Sequence, residues 1–175
     1  MSDTIRSLDA LLALFADNTT GQISAQDLRD FIVSAMATDV KFTSDGGVAI
    51  KLTNKTGADS VKGTAVAVSG GTDNAFALPG VDAYDITAFV YESGVADGSE
   101  CWVVVAGIAV ALVEDSTAVS RKDLMLAGGT TSGRIEPASA VPPPTNAEHF
   151  REVGHAITGC ASGTDNTVKI IIHWN

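Results

Sequence analysis

Apolar residues recur at three- and four-residue steps near the start of the chain and at two-residue steps over most of the rest. Ile5, Leu8, Leu12 and Phe15 fall on one stripe of a helix. Asp17-Asn18-Thr19-Thr20-Gly21 then supplies turn formers that end it. A second helix starts at Ser24, an N-cap with Asp27 in the capping-box position, and Ile23 and Leu28 are placed to staple the turn. Leu28, Phe31, Ile32 and Ala35 carry its apolar face. Two short amphipathic helices cannot bury both stripes alone, so they are expected to dock on the body, on sister subunits or on a foreign surface.

From about residue 40 the period becomes two. Val48, Ile50 and Leu52 alternate with Ala49, Lys51 and Thr53, which predicts a half-buried strand. Val61–Ser69 is β-leaning and is closed by the turn Gly70-Gly71-Thr72-Asp73-Asn74. Ile86–Tyr91 predicts a strand, and Cys101–Val113 predicts one long strand or two meeting near Gly107. Leu124–Leu126 is a short apolar run, and Val141-Pro142-Pro143-Pro144 predicts an extended spacer. Phe150–Trp174 predicts a hairpin turning through residues 161–166, with Val168, Ile170, Ile172 and Trp174 inward; Ala147–Ile157 also fits a helix. The expected fold class is therefore mainly β: a compact β-sandwich or barrel-like body behind a short N-terminal helical segment, divided at residues 1–38 and 39–175.

Composition narrows the function. Of 175 residues, 45% are hydrophobic but only 6% aromatic, so Ala and Val supply the core, and packed strands are expected rather than a large ligand cavity. The net charge of −10 repels phosphates, and no basic cluster interrupts it, which disfavours nucleic acid. The longest uncharged apolar run, Cys101–Val113, is shorter than the roughly 20 residues a membrane helix needs. The first residues, Met-Ser-Asp-Thr, lack a basic region or cleavage site, so no signal peptide is expected. Cys101 and Cys160 are too far apart for a zinc or disulfide framework and read as buried free thiols.

Candidate chemistry is thin. Ala16–Asp27 has the outline of a calcium loop, but Ala16 offers no side-chain oxygen at the first ligand position, and Asp27 is short for the last. His149, Glu152 and His155 form the one histidine–acid cluster, with no second cluster nearby in sequence to complete a metal's coordination. No Gly-x-Ser-x-Gly elbow occurs, and the glycine pairs at 46–47, 70–71 and 128–129 lie outside any phosphate-binding context. Glu114-Asp115 reads as a solvated turn. No catalytic residue, cofactor or metal is expected.

Two sets of residues carry a resemblance. Phe15-Ala16-Asp17-Asn18-Thr19-Thr20-Gly21-Gln22-Ile23-Ser24-Ala25-Gln26-Asp27-Leu28-Arg29-Asp30-Phe31 resembles the N-terminal attachment segment common on phage head-fibre and tail-fibre proteins. The body carries Leu52-Thr53-Asn54-Lys55-Thr56-Gly57, Val61-Lys62-Gly63-Thr64, the run from Gly94 to Val105, Gly107-Ile108-Ala109, Glu152-Val153-Gly154-His155-Ala156 and Gly163-Thr164-Asp165. This succession is similar to phage capsid decoration and head-fibre proteins. The resemblance implies a non-enzymatic virion protein: an oligomer, expected to be a trimer, bound through the major capsid protein to the outside of the capsid after synthesis in the host cytoplasm. No nucleic acid or membrane partner is implied. Residues 1–38 would be the attachment or oligomerisation segment, and 39–175 the decoration domain. Ile5, Leu8, Leu12, Phe15, Leu28, Phe31 and Ile32 are the candidate partner or oligomer interface. A tail-fibre or receptor-binding adhesin is the rival reading.

Overall fold

One strand, β6 (Glu100–Leu112), organises the body, as seen in a computed structural model that describes residues 25–36, 40–140 and 145–173. The chain divides into two compact units, Met1–Lys41 and Phe42–Asn175. The first unit contains helix α1 (Ala25–Met36). Strand β1 (Val40–Phe42) lies across the boundary. In the second unit follow β2 (Gly47–Asn54), β3 (Ala65–Val68), β4 (Ala75–Ala77), β5 (Ile86–Val90), β6, β7 (Leu124–Ala127) and β8 (Ile135–Pro137). A five-residue helix α2 (Asn146–Phe150), β9 (Glu152–Ala156) and β10 (Thr167–Ile172) complete it.

Hydrogen bonding runs in the order β2-β4-β3-β5-β6, and β6 pairs back onto β2 from Gly47↔Gly107 to Thr53↔Glu100. Those five strands form a closed barrel. On its other side β6 leads into β10, β9, β7 and β8, and this second sheet returns to the end of β6 through the bridge Val113↔Ile135. The long apolar run predicted at 101–113 is thus a single strand, and it is long because it belongs to both sheets. Gly107 marks the bend: its φ is +79°, and a Cβ there would lie 2.7 Å from the Gly46 carbonyl oxygen.

Two clusters of buried side chains follow. Val66, Phe76, Ala88, Val90, Cys101 and Val103 form one, with Ile50, Leu52, Val95 and Val105 packed on it. The larger joins Ala49, Ala65, Phe89 and Val104 to residues of the second sheet, including Ala109, Ala111, Met125, Ile135, Val153, Val168 and Ile170. Phe76 and Phe89 have no exposed surface, and truncating either to Ala would cost about 3–5 kcal/mol. The many alanines let strands approach closely, which is how a chain with so few aromatic residues fills its interior.

The turn at 70–74 joins β3 to β4 antiparallel, as its residues predicted, with Asn74 at φ 50°. The C-terminal hairpin is β9–β10, and Val168, Ile170 and Ile172 are buried. β2 alternates as expected: Ile50 and Leu52 pack on the smaller cluster, while the fully buried Ala49 belongs to the larger. Two readings are narrowed. The segment 147–157 is a short helix followed by a strand, not one helix. Residues 61–64 of the β-leaning run are a loop, and the strand begins at Ala65. The predicted helix at Ile5–Phe15, the Ser24 cap, the 141–144 spacer and Trp174 lie outside the described residues.

Candidate functional site

The body segments 52–64, which holds the resembling blocks 52–57 and 61–64, and 94–105 fold against each other at one end of the barrel. Asn54, with no exposed surface, is the pin. Its Nδ2 donates to the carbonyls of Ala58 and Val95, both at 2.9 Å. Its Oδ1 accepts from the Thr56 N–H at 3.1 Å and the Thr56 hydroxyl at 2.8 Å. Its own backbone exchanges hydrogen bonds with Ser99 and Gly98. Ser60 repeats the device: its hydroxyl donates to the Glu92 carbonyl at 2.6 Å and accepts from the Val95 N–H at 3.0 Å. Asp97 accepts from the Gly57 N–H, and the Ser93 hydroxyl from the Lys62 N–H. These Asn, Ser and Asp side chains satisfy loop backbone that no strand partners, so the rim is rigid though it is not sheet.

That rim is one wall of a groove of about 310 Å³. Val61 and Leu78 stand in it 52% and 44% exposed, above Val90 and Leu112. The opposite wall is the β7–β8 turn, Thr131–Arg134. Backbone bonds tie the walls: Ala65 N–H to Gly133 O, Leu112 N–H to Gly63 O and Gly63 N–H to Val90 O, each 2.8 Å. Glu114, expected in a solvated turn, is instead buried, and its Oε1 accepts from the N–H groups of Thr130 at 2.9 Å and Thr131 at 2.6 Å. It holds the turn that makes the wall. Arg134 donates to the Val113 carbonyl and pairs with Asp115 and Asp165. Asp59 lines the groove without a cationic partner among the described residues.

A second polar cluster gathers the three histidines. His149, at the end of α2, meets Glu152 at the start of β9 (Nδ1 to Oε1 2.9 Å). His155 on β9 and His173 just past β10 share a hydrogen bond, Nδ1 to Nε2 at 3.0 Å, on neighbouring strands. One ring donates and the other accepts. Burial, and then the charge of His155, push the His173 pKa below its ordinary value, and Glu152 opposes this. The sequence cluster was therefore incomplete by His173, which only the hairpin register brings in. Among the described residues no group of three His, Cys, Asp or Glu side chains could hold a metal ion. Both cysteines are free, Cys101 buried and Cys160 half-buried.

Of the residues expected at a partner interface, Leu28 and Phe31 lie on α1, 53% and 43% exposed. The side chain of Ile32 is outside the description, as are Ile5, Leu8, Leu12 and Phe15. The groove residues were not anticipated from the sequence. Among the described residues, no helix is long and apolar enough to cross a membrane.

Architecturally this is a mainly β protein built on a closed five-stranded barrel with an appended sheet. No protein-family model matches the chain, and no curated protein matches it. Among solved structures it is similar to "head fiber gp8.5 N base in bacteriophage phi29", with 14% identity over 71% of this chain and 92% of that one and a TM-score of 0.48.

Proposed function

We propose that the chain is a structural virion protein that binds the outer surface of a phage capsid, as a decoration (cement) protein or short head fibre, and works as a trimer. The observation that carries this reading is the fate of the resembling segments: 52–57, 61–64 and 94–105, with residues 58–60 between the first two, build a rigid, pinned rim beside an apolar groove. A rim held by buried amide and hydroxyl bonds suits a surface that must keep its shape against a partner. Two further features support it. The barrel closes back on β6, so among its five strands no open edge is left to pair with sister copies when many are crowded together. The −10 charge adds to that protection.

The test is co-sedimentation with empty mature capsids of the encoding phage, combined with light scattering for mass. Saturable capsid binding by a trimer is the expected result. A monomer that ignores capsids overturns the reading, and a labelled protein that stains host cells but not capsids replaces it with the adhesin.

A further inference from the structure

We propose that the groove between the barrel rim and the β7–β8 turn is a docking site for an extended segment of a partner protein, which seats an apolar side chain between Val61 and Leu78 and a lysine or arginine against Asp59. The identification of that partner with a capsid protein rests on the function proposed above; the site itself rests on the groove.

Three observations select this occupant. First, the lining has no aromatic ring, so the stacking platform on which sugars and bases are usually held is missing. At about 310 Å³ the space is at the small end of ligand pockets and suits one or two aliphatic side chains. Second, the charge is one-sided. Arg134 is answered by Asp115 and Asp165 together, Asp59 has no cation among the described residues, and the whole chain is acidic. A basic segment is attracted and an acidic one repelled. Third, the walls are already tied by backbone bonds and by Glu114, so little ordering is needed on binding. The two walls, 56–61 and 131–134, are loop rather than strand edge, so side-chain insertion rather than addition of a strand is the mode they offer.

The experiment has two arms on the full chain. In the first, isotope-labelled protein is titrated with the capped peptide Gly-Lys-Leu-Val-Lys-Gly, and amide shifts are followed by NMR. Saturable shifts confined to Asp59, Val61, Leu78 and Thr131–Gly133 are expected, weakened about five-fold in Asp59→Asn. They should be absent with Gly-Glu-Leu-Val-Glu-Gly and with Gly-Lys-Ser-Ser-Lys-Gly. No groove shifts, or equal shifts with the acidic peptide, overturn the proposal. In the second, Val61→Asp and Leu78→Asp, both at half-exposed positions and checked for an unchanged amide spectrum, are compared with wild type for capsid capture. A loss of about ten-fold or more is expected. Wild-type capture with undiminished capture by both variants refutes the groove and leaves the capsid reading standing. No capture by wild type refutes the capsid reading, and the peptide arm then decides the groove alone.

Discussion

Replacing Asn54 by Asp tests the pin of the rim, because the two ends of its side chain do opposite work. Oδ1 accepts from Thr56, whereas Nδ2 faces two carbonyl oxygens, of Ala58 and Val95, at 2.9 Å. An ionised carboxylate keeps the first pair of bonds and turns the second into contacts between acceptors. Two lost hydrogen bonds amount to about 1–3 kcal/mol, and an unpaired buried charge adds about 3–5 kcal/mol. Asn54→Asp should therefore lose at least about 4 kcal/mol at pH 7.5, roughly the pH of the cytoplasm. Asn54→Ala should lose less, about 3 kcal/mol. Its two carbonyls keep other donors, the Thr56 hydroxyl for Ala58 and the Ser60 N–H for Val95, and only the Thr56 N–H is stranded. The sign with pH separates the variants. Burial facing two carbonyls raises the introduced carboxyl's pKa above its unfolded value near 4, so in that window the native state binds more protons. Stability of Asn54→Asp then falls by up to about 1.4 kcal/mol per pH unit as pH rises through the window. Urea denaturation from about pH 5 to pH 7.5, against wild type and Asn54→Ala, measures it. A gap between Asn54→Asp and wild type that is independent of pH, or no larger than that of Asn54→Ala at pH 7.5, would refute the pin.

Three further outcomes are expected. A hydrogen bond from Lys169 at 2.8 Å, with Lys62 at 3.2 Å, holds the Asp45 carboxyl below its ordinary value against a smaller effect of burial. Its contribution is complete above about pH 4 and is lost as pH falls through the lowered native value, so the stability gap between wild type and Asp45→Asn should be flat at neutral pH and close in acid. For His173 the lowered native pKa means that the unfolded chain binds more protons below about pH 6.5. Thermal midpoints should drop between pH 7.5 and 5.5, and the drop should shrink in His173→Gln; an equal drop in both sinks that assignment. Gly154 has φ +154°, and a Cβ there would lie 2.2 Å from the Ile171 carbonyl oxygen. Gly154→Ala should cost about 3 kcal/mol or more, and a denaturation midpoint near that of wild type rejects the crowding.

Alternation of apolar and polar residues was enough to show a mainly β body and several of its strands, because a half-buried strand writes its period into local sequence. It did not show that both faces of β2 are used, Ile50 and Leu52 packing on one cluster and Ala49 lying buried in the other. The irregular register between β2 and β6 escaped it too, because a slip is a property of two strands rather than one. The three-residue strands β4 and β8 were invisible for a related reason: each is defined by its neighbours and is too short to show a period. Glu114 was misread because an acid beside another acid normally stays in water; here the Thr130 and Thr131 N–H groups replace that water.

The candidate site was less legible still. Asn54 stood out only as a member of a resemblance, Ser60 did not stand out, and nothing local shows that Asn54 is buried or that it bonds Val95, 41 positions away. The groove draws Asp59 and Val61 from one loop, Leu78 from the end of β4, Leu112 from β6, Arg134 from the β7–β8 turn and Asp165 from the last hairpin. Taken singly, a half-exposed valine or leucine and a lone surface acid are ordinary. They become a site only because β6 belongs to both sheets, which carries Leu112 to the place where the barrel rim and the second sheet face each other across the groove. The long run at 101–113 was therefore the most informative stretch of the sequence. Its thirteen-residue length records a strand that serves both sheets, and the groove lies at the end where Leu112 hydrogen-bonds to Gly63.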